Sequence, residues 1–268
     1  MSVEKNQAII TKDGELGLKK QLFRVIIIAV LVFLIGSASG IHRAIISLLT
    51  DAITGAEDAH RTEGDFNFWF QLAFALAPFG LFKASADIFS GELSDKYGRR
   101  KMMILGTFIY LFGVIPILLS LGLKSINETL AYLMLPLGSA IIGAGQGCLY
   151  ASTMASLGDI GGHRERATAM GIMEFSVYGG YSIGSGISGF ISKGGEYQNS
   201  YIFATITAVL AATIAISAIR ETIHLAKFEE KISPLREIKL PKKDIKKIEK
   251  KYRLKTLLKN PSLVVTYL

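Results

Sequence analysis

The chain alternates between long apolar stretches and short polar segments. Six apolar stretches cover about residues 25–48, 67–92, 102–123, 130–157, 167–191 and 200–219. A helix rises about 1.5 Å per residue, so about 20 apolar residues cross the roughly 30 Å hydrocarbon core of a bilayer. Each stretch is long enough to do so. The pattern therefore predicts an all-α integral membrane protein with six transmembrane helices.

The composition agrees with a membrane protein and argues against a soluble enzyme. Apolar residues make up 50% of the chain, the mean hydropathy is +0.39, and 19% of the residues are charged, against about 25% in an average soluble domain. The four histidines and the single cysteine show no metal-ligand spacing. We therefore expect no catalytic site, no metal and no cofactor.

The basic residues lie mainly on one predicted side of the membrane. With the N-terminus in the cytoplasm, 25 of the 30 Lys and Arg residues fall in cytoplasmic segments. Because cytoplasmic loops carry an excess of Lys and Arg, this bias predicts a multi-pass cell-membrane protein whose N-terminus and basic C-terminal segment are cytoplasmic. The net charge of +8 follows from the same bias, so no nucleic-acid partner is expected.

A short charged segment, GELSDKYGRRK at residues 91–101, joins the second and third apolar stretches. So short a connection predicts antiparallel neighbouring helices, and its four basic residues place it in the cytoplasm. One interpretation is that the segment only fixes the topology. The alternative is that its side chains also make specific contacts with neighbouring helices.

Individual residues of this segment have chemistry that suits such contacts. Gly91 allows a neighbouring helix to approach closely, and Gly98 permits a sharp reversal of the chain. Asp95 can accept hydrogen bonds from backbone amides at a helix N-terminus. Arg99 offers a planar fork of donors to a carboxylate, and Asp159 is predicted on the same membrane face.

The composition changes abruptly after Arg220, where a lysine-rich stretch begins. Its apolar residues recur at near-helical spacing, which suits either a helix on an anionic membrane surface or a solvated linker. From Pro261 the chain becomes apolar again, which predicts the start of a seventh span in a truncated sequence. The predicted parts are a cytoplasmic tail at 1–23, a six-helix bundle at 24–220, a cytoplasmic linker at 221–258 and the beginning of a seventh helix at 259–268.

Together these features resemble the major facilitator superfamily of secondary transporters. The likeness is carried by Gly91, Leu93, Asp95, Gly98, Arg99 and the basic pair Arg100 and Lys101, with support from Asp159, Arg166, Ala169, Gly171 and the Arg-Glu-Thr sequence at 220–222. The resemblance implies one half of a twelve-helix transporter, whose partner is the missing C-terminal six-helix half. It also implies that a gating set latches the two halves on the cytoplasmic side and balances outward-open against inward-open states. That set is Gly91, Asp95, Gly98, Arg99, Arg100, Asp159 and Arg166.

Ionisable residues inside the spans are candidates for binding a solute or a coupling ion, since such residues are costly in a bilayer. Lys83 and Asp87 are four residues apart, so they share a helix face and can neutralise each other. Glu174 enters the fifth stretch from the same side. A purely structural ion pair, with either acid steadying Lys83, is the alternative.

His42 and Arg43 complete the candidate set and lie in the outer third of the first stretch. If Arg43 faces the central path, it forms a cationic pair with Lys83 that favours an organic anion. The alternative is that Arg43 extends its charge to the membrane surface.

Small residues predict close helix packing in the fourth and fifth stretches, through Gly143 with Gly147 and Gly180 with Gly184. Two features of some family members are missing. Gly143 stands where proton-coupled relatives often carry an arginine, and the fifth stretch lacks the proline usual in drug antiporters. Proton-coupled drug export is therefore not favoured.

The expected function is transport without enzyme activity: a small solute, with an organic anion as one candidate class, crosses the lipid bilayer by alternating access. The alternative is a self-contained six-helix protein that forms a homodimer or a scaffold and does not transport. An open reading frame that continues beyond Leu268 with six more spans favours the first, and a stop codon there favours the second.

Overall fold

A computed structural model of the chain describes residues 16–54, 66–193 and 195–232. Every regular element of these residues is α-helical, which confirms the predicted all-α class. The helices are α1 (Leu22–Thr54), α2 (Phe66–Tyr97), α3 (Arg99–Leu123), α4 (Glu128–Ile191), α5 (Tyr197–Ser217) and α6 (Ile223–Ile232). The residues form two units, and of the second, which starts at Lys227, only the end of α6 is described.

Helix α4 contains two of the predicted spans and bends at Gly162. This glycine has φ 61° and ψ −171°, outside the helical region, and it separates a first arm at 128–162 from a second arm at 163–191. A positive φ of this size suits glycine, which lacks a Cβ. The predicted break between spans four and five is therefore real, but it is limited to the backbone around one residue.

Five helices in the described part of the chain are long and apolar enough to cross a membrane: Leu22–Ile53, Phe70–Tyr97, Arg99–Leu123, Glu128–Gly162 and Tyr197–Ser217. The second arm of α4, predicted as a further span, is helical but does not meet this requirement of composition. Its many Gly, Ser and Tyr residues lower its apolar content.

The predicted turn at 91–101 is much shorter in the structure. Helix α2 continues to Tyr97 and α3 begins at Arg99, so Gly98 alone separates them, with φ 106°. The segment is rich in residues that a helix accepts, and its charges do not end the helix. This correction places Asp95 on the last turn of α2, four residues before Arg99.

Helix α4 lies at the centre of the bundle. Its second arm packs on α1, and its first arm packs on α2 and α3. Helix α5 closes the bundle against α1 and α3. The predicted N-terminal tail up to residue 15, the linker beyond residue 232 and the seventh helix lie outside the described residues.

The predicted glycine contacts are confirmed, because backbones meet at these positions. A Cβ added at Gly184 would lie 2.0 Å from the carbonyl oxygen of Ser37 on α1, and one at Gly143 would lie 2.2 Å from that of Phe79 on α2. Gly147 and Gly180 are similarly close to backbone oxygens. Small residues allow the helices to approach this closely, which compensates for the weak hydrophobic drive between helices in lipid.

Replacing Gly184 by Ala should therefore destabilise the bundle. Overpacking a tight interface costs about 1–3 kcal/mol, because backbones must separate to admit the methyl group. The measurement is the thermal unfolding midpoint of the purified protein in detergent. Gly186→Ala is the matched control, since no atom of the described part of the chain lies within 4 Å of a Cβ there. Equal midpoints for the two variants would contradict the assigned packing.

Candidate functional site

The guanidinium of Arg99 is the centre of a polar cluster at the end of the bundle that carries Gly98. Its side chain is only 9% exposed. Nε donates a hydrogen bond to Asp159 Oδ2 at 3.2 Å, and Nη1 donates to Ser94 Oγ at 2.7 Å. Nη1 also forms an ion pair with Asp95. Two carboxylates from α2 and α4 therefore compensate one buried charge, as the low polarity of its surroundings requires.

The carboxylate of Glu221 caps the N-terminus of α3. Its Oε1 accepts a hydrogen bond from the Arg99 amide at 2.9 Å, and its Oε2 accepts one from the Arg100 amide at 3.2 Å. The first amides of a helix have no partner within the helix, and an anion there is also favoured by the helix dipole. Because Glu221 follows α5, the cap joins the end of one predicted span to the start of another.

Thr222 links this cap to Asp159. Its Oγ1 lies 3.2 Å from Asp159 Oδ2 and 3.0 Å from Ser156 Oγ. Asp159 therefore binds groups from α3 and from the segment after α5 at the same time. We call Arg99, Ser94, Asp95, Asp159, Glu221 and Thr222 the Arg99 cluster.

Arg100 reaches in another direction. Its Nη2 donates a hydrogen bond to the Ile216 carbonyl at 2.6 Å, in the last turn of α5. The last carbonyls of a helix have no partner within the helix, and a cation near this end is favoured. The two consecutive arginines at the start of α3 therefore hold different helices.

Three residues of the predicted gating set have exposures or contacts that the sequence did not indicate. Nothing lies within 4 Å of a Cβ built on Gly91, so no neighbouring helix approaches it among the described residues. Arg166 is exposed near the start of the second arm of α4. Asp95 is 69% exposed on the last turn of α2 and pairs with Arg99, whereas Glu221 takes the capping position at a helix N-terminus.

Sequence reasoning did not single out Glu221, Thr222 or Ser94 as members of the cluster. Glu221 is separated from Arg99 by 122 residues, so no local pattern indicates that they meet. One signal was available, since Glu221 is an acid just after a span that ends on the same predicted side as residues 91–101.

A second polar group surrounds Lys83 within the spans. Lys83 Nζ lies 2.8 Å from Asp87 Oδ2, and it lies 4.4 Å from the ring centroid of Tyr150 on the first arm of α4. The Tyr150 hydroxyl donates a hydrogen bond to Glu174 on the second arm. The three sequence candidates thus lie in one neighbourhood, connected through Tyr150.

The other two candidates lie in separate surroundings. His42 is buried and its Nδ1 is 3.1 Å from the Tyr201 hydroxyl, while its Nε2 finds no hydrogen-bond partner among the residues that the structure describes. Arg43 is exposed, and its guanidinium carbon lies 5.6 Å from the ring centroid of Tyr181. The Tyr181 hydroxyl accepts a hydrogen bond from Gln146 on the first arm of α4. His42 is therefore enclosed within the bundle, whereas its neighbour Arg43 is exposed.

The described residues contain no group of three His, Cys, Asp or Glu side chains that could hold a metal ion. The chemistry of both polar groups is that of ion pairs and hydrogen bonds.

The sequence profile of the Major Facilitator Superfamily matches residues 28–268, which include nearly all of the bundle. The chain belongs to the Major Facilitator Superfamily.

Relatives and solved structures agree with this membership. The chain is 27% identical over 154 residues to Multidrug resistance protein 2 of Bacillus subtilis (strain 168), with 58% of this chain and 36% of the relative covered. It is 26% identical over 150 residues to Multidrug resistance protein 1 of the same organism, with 56% and 36% covered. This superfamily chain thus spans about a third of the length of the curated relatives that it matches.

The crystal structure of a D-xylose-proton symporter has the same fold as this superfamily member. The TM-score is 0.62 at 15% sequence identity, and the match covers 87% of this chain and 54% of the symporter. At this identity the likeness concerns the fold alone. With its apolar helices, the chain is an integral membrane protein of the superfamily.

Removing the cap on α3 should lower stability. Glu221→Ala removes the acceptor of the Arg99 and Arg100 amides, and also that of the Thr222 and Ile223 amides, and should cost about 1 kcal/mol. Glu221→Gln keeps one acceptor oxygen and should cost less. The thermal unfolding midpoint in detergent measures the stability of both variants. Glu196→Ala is the control, because Glu196 precedes α5 without capping it through its side chain. A midpoint as low for the control as for Glu221→Ala would contradict the cap.

Proposed function

We propose that the chain forms one half of a secondary transporter that moves a small solute across the cell membrane by alternating access. The observation that carries this proposal is the Arg99 cluster in a member of the Major Facilitator Superfamily. Its buried charge is balanced by acids from two helices, so a movement that separates them has a large electrostatic cost. Such a cluster can stabilise the conformation in which the transporter is closed on this side of the membrane.

The proposed orientation places the Arg99 cluster on the cytoplasmic side. The support is the excess of Lys and Arg in the segments that lie on the side of the α2–α3 turn. The N-terminus and the basic segment after α5 then also lie in the cytoplasm. In this orientation the cluster acts as an inner latch of the transporter.

The proposed partner of the bundle is a second six-helix half. Support comes from large apolar side chains that remain exposed on two elements, Ile88 and Phe89 on α2 and Phe175 and Tyr178 on the second arm of α4. Exposed apolar side chains of this size mark contact with another protein surface or with lipid. A homodimer would cover the same surface with a second copy, and this remains the competing interpretation.

The proposed solute site involves Lys83, Asp87, Glu174 and Arg43. Arg43 supports an anionic solute, because among the described residues it lies over Tyr181 and forms no ion pair. Lys83 can join it only by giving up Asp87, which lies at 2.8 Å. An anion that binds between them therefore has to compete with a carboxylate already present.

Neutralising Asp159 should impair transport. Asp159→Asn removes one of the two charges that balance Arg99, so the latch holds less firmly, and an allosteric coupling of ordinary size predicts about a tenfold change in rate. The measurement uses protein from the complete gene in proteoliposomes, with a panel of anionic, neutral and cationic solutes. Thr168→Ala, an exposed change on the second arm, is the control. Absence of transport of every solute by the unaltered protein would overturn the proposed function.

The ion pair between Lys83 and Asp87 can be tested by asking whether a second substitution restores the yield of folded protein. Lys83→Met alone leaves the Asp87 charge unpaired inside the membrane, which costs about 2.5–3.5 kcal/mol on insertion scales, so the yield of folded protein should fall. Adding Asp87→Asn removes that charge and should restore the yield, as size-exclusion chromatography of the detergent extract would show. If the restored double variant transports normally, the pair is only structural.

A separate variant tests whether the transported solute is an anion. Arg43→Ala should slow the transport of an anion and leave a neutral solute unaffected, because only the anion uses the positive charge. Initial rates for the two solutes in the same proteoliposomes provide the comparison. Equal rates for the anion with and without Arg43 would contradict an anion site at this position.

A further inference from the structure

We infer that Glu165 is a positioning residue of the latch: together with Gly17 and Leu18 it ties the segment before α1 across the Gly162 bend and so holds Asp159 against Arg99. This inference rests on the proposed function, because it concerns how the latch is held in place. We call residues 16–21 the strap.

Two hydrogen bonds attach the strap to α4. The amide of Gly17 donates to the carbonyl of Ile160 at 2.9 Å, and the amide of Leu18 donates to Glu165 Oε2 at 2.6 Å. Gly17 has φ 136°, a conformation that side-chain-bearing residues rarely adopt. The Leu18 side chain is 7% exposed and packs with the hydrophobic core, so the strap is anchored by apolar burial as well.

The two attachment points lie on opposite sides of the bend. Ile160 belongs to the first arm and Glu165 to the second, while Gly162 between them has non-helical backbone angles. A break of this kind leaves helix-end amides and carbonyls without their usual partners, and hinges are typically a few such residues. The strap therefore spans the point at which the arms of α4 would move relative to each other.

Asp159 is directly next to the first attachment point. Its Oδ2 is 3.2 Å from Arg99 Nε and 3.2 Å from Thr222 Oγ1, distances that tolerate little displacement of its backbone. The neighbouring backbone is also closely packed, since a Cβ at Gly161 would lie 3.3 Å from that of Ala169. A bend held at both ends keeps the Asp159 carboxylate at this distance, whereas a free bend lets it move away.

The first measurement is amide hydrogen exchange of the complete protein in nanodiscs, followed by mass spectrometry. Glu165→Ala should speed exchange in residues 155–167 about fivefold, the effect of losing one ordinary hydrogen bond. Glu165→Gln keeps an acceptor oxygen and should stay within about twofold of the unaltered protein. Gly17→Ala, strained at its positive φ, should resemble Glu165→Ala although it alters a different element. Thr168→Ala is the matched control on the same arm.

The second measurement reports on the latch itself. Trypsin cleavage after Arg99 should be faster in Glu165→Ala and normal in Glu165→Gln, because a displaced Asp159 releases this buried arginine. If Asp159→Asn speeds this cleavage and Glu165→Ala does not, the strap has no positioning role and the proposed latch stands. If Asp159→Asn also has no effect, the latch itself is wrong. Exchange that rises equally in residues 200–215 would show general unfolding and would also overturn the inference.

Discussion

The bundle depends at one end on the need to compensate the buried guanidinium of Arg99. A buried charge without partners is strongly destabilising, so the helices that carry its partners must meet at one point. Asp95 and Ser94 come from α2, Asp159 comes from α4, and Glu221 binds the backbone amide of Arg99 itself. Satisfying one residue therefore fixes the α2–α3 turn, the end of the first arm of α4 and the segment after α5.

The middle of the bundle is held by a different kind of contact. There, glycines bring helix backbones together, as at Gly184 on Ser37 and at Gly143 on Phe79. Helix backbones in contact attract each other by dispersion, which acts over short distances and depends on close fit. The charges of the Arg99 cluster act over longer distances and depend on their ionic partners. The two contacts suit different tasks, since the first keeps a helix group rigid and the second can exchange partners.

Features that depend on local sequence were predictable. The apolar stretches indicated the helices, and the spacing of Lys83 and Asp87 indicated their pairing. The continuation of α2 to Tyr97 is not evident from the sequence, because a cluster of charged residues between two apolar stretches is typical of a turn, although most of these residues are compatible with a helix. The capping role of Glu221 and the strap at Gly17 could not be predicted, because each joins residues more than 100 positions apart in the chain. Such contacts follow from the packing of whole helices, which local periodicity does not determine.

The exposure of the three charged partners indicates how a latch of this kind would open. Arg99 and Asp159 are about one-tenth exposed, while Asp95 is 69% exposed. Moving Asp159 into water would break its contacts with α3 and with Thr222 together, whereas Asp95 can leave Arg99 and be hydrated at little cost. In the proposed cycle Asp95 is therefore the partner that is exchanged, and the ion pair between Arg99 and Asp159 stays intact. A second half that offered Asp95 a better partner, such as the amides of a helix N-terminus, would compete directly with Arg99.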